Sequence, residues 1–144
     1  MKKENLISEE VAVQELTAFV KEWVEDYEEL VEEKNITHIK KFMPKAYKAL
    51  LGGDLVLENN KPVYTLNAPA TDVKGEVFLR VITFKTRIPP MDQAAILKGI
   101  DIKIDQYSAM LQNIAFITGQ SVPVLNKLEK RDYDTIVEIA SLFM

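Results

Sequence analysis

Cysteine is absent from the 144 residues of the chain. That excludes disulfides, thiolate nucleophiles and zinc–thiolate sites together, and it is consistent with a reducing compartment. Histidine occurs once, as His38. A lone histidine can serve as a general base, but catalysis usually needs a second positioned group. The neighbouring Lys40 and Lys41 disfavour its protonated form and weaken metal binding, so a surface or helix-cap role is the better reading. No run approaches about 18 uninterrupted apolar residues, and no membrane-spanning helix is expected. The first residues, MKKENLISEE, carry two lysines with no apolar region after them, which does not fit a signal peptide. A cytoplasmic protein is therefore expected, and the sequon Asn35-Ile36-Thr37 carries no weight.

Strong positive charge is also missing. The net charge is −4, unevenly spread: residues 1–33 hold three lysines against eleven acids, a net of −8, which leaves +4 for the rest. A dispersed +4 is too weak for nucleic-acid binding. The acidic N-terminal stretch reads either as an interaction segment or as a solvated helix face. Hydrophobic residues make up 47%, ordinary for a globular protein, and a chain of this length can bury roughly two-thirds of its unfolded surface.

Glycine and proline are sparse, at five and six, so the breaks between elements are well marked. From Ser8 to about Lys34 neither occurs. Ser8 can cap a helix, with Glu9 and Glu10 favoured by the helix dipole. Val13, Leu16, Val20, Trp23, Tyr27 and Leu30 recur at alternating three- and four-residue spacings, a heptad seam. The spacing predicts one amphipathic helix of roughly 26 residues, about 39 Å long. Its stripe must pack against the rest of the chain, a second copy or a partner. Trp23 and Tyr27 read as core residues or as interface anchors.

Thr37 opens a second helical stretch that contains Pro44, so the helix kinks there or begins there; Gly52-Gly53 ends it. Leu55–Glu58 and Val63–Leu66 read as two strands around Asn59-Asn60-Lys61-Pro62. Residues 67–75 read as a loop. Glu76–Ile88 is apolar on both faces and predicts the central strand of a small antiparallel sheet. A short helix from Pro90 to Gly99 follows, then one starting at Asp101 or Asp105 and stopped by Gly119. Ser121 caps a helix with Pro123 in its first turn, and Asp132 caps the last helix. The expected fold is α+β: two N-terminal helices, an antiparallel sheet of about three strands, and three or four short C-terminal helices. Residues 1–53 form the helical segment and 54–144 the meander and later helices, as two parts or as one compact domain.

No residue set assembles into a recognisable catalytic or metal site. Asp101, Asp105 and Glu76 lack calcium-loop spacing and read as caps. Gly52-Gly53-Asp54 lacks the lysine of a phosphate loop. The serines have no nucleophile-elbow context, and Lys85 and Arg87 read as a solvated strand end more readily than as an anion site. A non-enzymatic binding protein, without cofactor or metal, is the expectation. The partner-binding candidates are Val13, Leu16, Val20, Trp23, Tyr27 and Leu30.

Residues 62–143 resemble the phage tail assembly chaperone family. The points of resemblance begin with a strand leading into Phe84-Lys85-Thr86-Arg87-Ile88-Pro89-Pro90-Met91-Asp92. A helix ending in Ile114-Ala115-Phe116-Ile117-Thr118-Gly119 follows, then the short helix from Val122 to Leu128. Asp132-Tyr133 opens a helix that ends at Phe143. The N-terminal 50 residues lie outside the resemblance. It implies a non-catalytic chaperone in the cytoplasm of a bacterial host, phage- or prophage-encoded, which binds the tape-measure protein, and tail-tube subunits as a further partner class, before tail assembly. It also implies a longer product made by frameshifting. A tape-measure protein is a long helical chain with apolar stripes, and a binder would cover them helix in groove. The alternative expectation is an adaptor or structural homo-oligomer that self-associates through the first helix. Neither reading involves nucleic acid or a membrane.

Overall fold

The structure, a computed structural model, describes residues 6–24, 39–58, 61–86, 90–96, 98–99, 101 and 105–144. It is α+β, with N-terminal helices, a three-stranded antiparallel sheet and several C-terminal helices.

Helix α1 spans Glu9–Trp23. The Ser8 hydroxyl accepts the Val11 N–H at 3.2 Å, with Glu9 and Glu10 in the first turn and Lys21 in the last, as the helix dipole favours. The continuous 26-residue helix is not what forms. Val24 is extended at φ −119° and ψ 101°, and its N–H closes the helix on the Val20 carbonyl. Residues 25–38, with Tyr27, Leu30 and His38, lie outside the described residues.

Two helices stand where one with a kink was possible. Helix α2 is the single turn Ile39–Phe42 and helix α3 is Pro44–Leu51, separated at Met43. Proline is tolerated at the first helical position because its missing N–H has no intrahelical partner there. Gly52 caps the end of α3, and Gly53 turns the chain at φ +81°.

The sheet is a meander, β1 (Leu55–Glu58), β2 (Lys61–Thr71) and β3 (Val77–Thr83), in that spatial order. Two expectations are corrected here. The central strand is β2, and β3 forms an edge. The apolar residues on both faces of β3 reflect exposure rather than double burial: of its seven residues, only Ile82 is buried. Residues 67–71 belong to β2 rather than to a loop, through a break in register between Thr65 and Ala70. Asp72 then makes the turn, its carboxylate accepting the N–H groups of Lys74 and Glu76. Leu55, Tyr64 and Ile82 lie side by side across the three strands and are no more than 2% exposed. Val56, Val63 and Thr83 form the adjacent row on the opposite, solvent-facing side.

After β3 the Lys85 N–H donates to the Ile117 carbonyl, drawing the chain away from the sheet. Helices α4 (Pro90–Ile96), α5 (Gln106–Thr118), α6 (Val122–Asn126) and α7 (Lys130–Ala140) follow, with a 3₁₀ turn at Ser141–Phe143. Asp105 caps α5 through Ser108, Gly119 ends it in the left-handed conformation, and Ser121 caps α6. The inner face of the sheet packs on α3 and α7, and α1 lies against α3. One apolar cluster joins all of these, from Leu16 of α1 to Phe143. Full burial of each large aliphatic side chain in it contributes about 1.5–3 kcal/mol. Phe19, Trp23 and Phe143 meet edge to face, Trp23 and Phe143 at 5.3 Å between ring centres. This aromatic contact ties α1 to the C-terminal turn.

Candidate functional site

The heptad seam divides on inspection. Leu16 and Val20 are 1% and 0% exposed and belong to the interior. Val13 and Trp23 are half-buried at its rim, and Val13 also lines a shallow groove of about 360 Å³ with Glu9, Glu10, Gln14 and Lys40. The face of α1 that packs inward is turned slightly from the heptad seam, because Ala12 and Phe19 are buried as well. Ala12-Leu16-Phe19-Trp23 has the same three- and four-residue spacing as the seam, so periodicity alone could have found either.

The acidic candidates resolve into local structure. Asp105 accepts the Ser108 N–H and hydroxyl at 2.9 and 2.6 Å, and these bonds hold its pKa below the ordinary value. Glu76 closes the turn made by Asp72. The Asp101 carbonyl accepts the Asp105 N–H. Among the described residues no three acids or histidines come together as a metal site would require. Lys85 lies over the Phe116 ring at 4.3 Å, a cation–π contact at the strand end. Arg87 lies outside the described residues.

One acid differs from its expected role. Asp132 does not cap α7; Glu129 occupies that position, and Asp132 is the third helical residue, 0% exposed. Its carboxylate faces β2. Oδ1 accepts from the Tyr64 hydroxyl at 2.6 Å, the Asn67 N–H at 2.9 Å and the Asn67 side-chain amide at 3.2 Å; Oδ2 accepts from the Ala68 N–H at 3.0 Å. Asn67 also donates to the Tyr64 oxygen at 3.1 Å. Where β2 breaks register with β3, its freed N–H groups thus bond to α7. Burial pushes the Asp132 pKa up, but the bonds from Tyr64, Ala68 and Asn67 outweigh burial and leave it below the ordinary value. Burial, with the carboxylate beside it, raises the Tyr64 pKa well above that of a free phenol. A carboxylate with this many donors is a structural clamp.

Glu138, six residues beyond Asp132 on the same helix, acts similarly on α3. Met43 gives α3 no side-chain cap, and Glu138 instead accepts the Ala46 N–H at 2.9 Å. Its pKa is raised, chiefly by burial, against the lowering effect of the Ala46 and Lys45 backbone.

Apolar side chains also stand exposed at the surface. Helices α4 and α5 pack together, and each presents exposed apolar side chains: Met91 at 86%, Tyr107 at 64% and Met110 at 42%. Tyr107 and Met110, three apart, share one face of α5. A second exposed set lies on β3, at Val77, Phe78 and Val81. Among the described residues no helix is long and apolar enough to cross a membrane. No protein-family model matches the chain, nor does any curated protein or solved structure.

Proposed function

We propose that this protein is a non-catalytic tail assembly chaperone that holds a helical segment of the tape-measure protein until assembly. The observation that supports this reading is the exposure of Met91, Tyr107 and Met110 on helices α4 and α5, which pack together. Methionine is unbranched and polarisable and adapts to irregular apolar partners. Tyrosine offers a large apolar contact with a polar tip. Both suit a groove for an amphipathic helix, whose apolar residues recur at three- and four-residue spacing. The surface also lies within residues 62–143, the part that resembles the chaperone family.

Self-association through α1 is the weaker reading, because Leu16 and Val20 are enclosed in the protein's own core. Coexpression with the tape-measure protein of the same tail gene cluster tests the proposal. A soluble complex is expected, and Met91→Asp with Met110→Asp should abolish it without changing the far-ultraviolet circular dichroism of the protein. An unchanged solubility of the tape-measure protein would refute the proposal.

A further inference from the structure

From the edge of β3 we infer a second docking site, independent of the α4–α5 surface, which takes an extended segment carrying an acidic residue and an apolar one two positions away. Among the described residues, strand β3 has β2 on one side and no strand on the other. Every second residue of an edge strand directs its N–H and C=O outward, ready to pair with another strand. The edge is not polar in character: Val77, Phe78 and Val81 are each at least 40% exposed.

Charge decides the occupant. Strands β2 and β3 together contain Lys61 and Arg80 and no acid. Arg80 is exposed at the midpoint of β3, three residues from each end, and pairs with no acid among the described residues. That position disfavours a second copy of the chain. Antiparallel pairing of β3 with itself about its centre sets Arg80 opposite Arg80, and like charges directly opposite destabilise a sheet. The same arginine favours a foreign strand with a carboxylate across from it. Phe78, exposed, shares the Arg80 side of the strand by alternation, while Ile82 on that side is buried, so the matching segment carries an acidic residue with an apolar one two positions away. One residue thereby rejects copies and selects a partner.

The site is tested with the whole chain and two blocked peptides, Thr-Val-Thr-Glu-Thr-Val-Thr and its analogue with Lys for Glu. Titration by NMR at low salt should show the Glu peptide binding about two- to fivefold more tightly than the Lys peptide, the range a cross-strand charge pair supplies. Arg80→Glu should invert that order, and amide exchange at residues 77–83 should slow on binding. Met110→Asp should leave peptide binding intact, which separates this site from the proposed helix-binding surface. Equal binding of the two peptides, no binding at millimolar concentration, or no response to Arg80→Glu would overturn the inference. So would a dimer in light scattering that Arg80→Glu dissociates, since a second copy would then occupy the edge.

Discussion

Replacing Asp132 is the sharpest test of how this fold is held. In Asp132→Ala, the Tyr64 hydroxyl and the N–H groups of Asn67 and Ala68 lose their acceptor inside the protein. Each buried donor left unsatisfied costs about 1–3 kcal/mol. Relaxation and water entry recover part of this, so a loss of about 3–5 kcal/mol is expected. That is a large share of the roughly 5–15 kcal/mol typical of a domain. Asp132→Asn keeps one acceptor oxygen but sets an amide NH₂ against one of these donors, for a loss of about 1.5–3 kcal/mol. Urea unfolding at pH 7, followed by circular dichroism, measures both. With slopes of about 1–3 kcal/mol/M, the alanine variant should lower the midpoint by about 1–5 M at unchanged slope. A cycle pairing Asp132→Asn with Tyr64→Phe should give a coupling near 1 kcal/mol or more. A loss below about 1 kcal/mol for the alanine variant, with no coupling in the cycle, would refute the clamp. The pH dependence is fixed in sign. The folded pKa of Asp132 lies below its unfolded value. Its contribution is therefore complete above the unfolded pKa, about 3.9, and is lost as pH falls through the folded pKa. Asp132→Asn should lack this acid-induced loss.

Glu138 has the opposite sign: its folded pKa is raised, so stability falls as pH rises from the unfolded value, about 4.3, through the folded one. Glu138→Gln, which retains an acceptor for Ala46, should match the wild type below pH 4 and equal or exceed it at pH 7 in urea titrations. Gly53→Ala should lose about 1–2 kcal/mol, because φ is +81° and the added Cβ collides with the Leu6 side chain. Adding Leu6→Ala should relieve the collision but not the backbone strain, as read from thermal midpoints. Phe143→Ala should cost about 3–5 kcal/mol. It should also shift the fluorescence of Trp23, the sole tryptophan, to the red as the indole loses its 5.3 Å neighbour.

Much of the fold was legible because its signals are local. Ser8 and Ser121 cap the helices that follow them, Pro44 begins α3, and Gly119 stops α5, each acting within a few residues of itself. The α+β class and the three antiparallel strands follow from the same kind of evidence, hydrophobic period and turn chemistry. The candidate site was less legible. The seam of α1 predicted an apolar stripe that must be covered, and Leu16 and Val20 are covered by the protein itself. A pattern of spacings says that a stripe is buried and not what buries it. The exposed Met91, Tyr107 and Met110 carry no distinguishing pattern, since Met110 and Tyr107 sit in the same helical repeat as buried Leu111 and Ile114.

By itself, the sequence determined the α+β class, several of the caps and stops, and that the first helix must hide one face. Tertiary structure decided which strand lies in the middle and what Asp132 does. Val77–Thr83 has the composition of a central strand, yet β2 is central because its residues 61–64 pair with β1 while residues 63–65 and 70–71 pair with β3. An aspartate near the start of a helix has the same local signature whether it caps that helix or reaches across to another element. The partners that settle its role, Tyr64, Asn67 and Ala68, lie 64 to 68 positions away in the chain. Only folding brings them within 3 Å of the carboxylate.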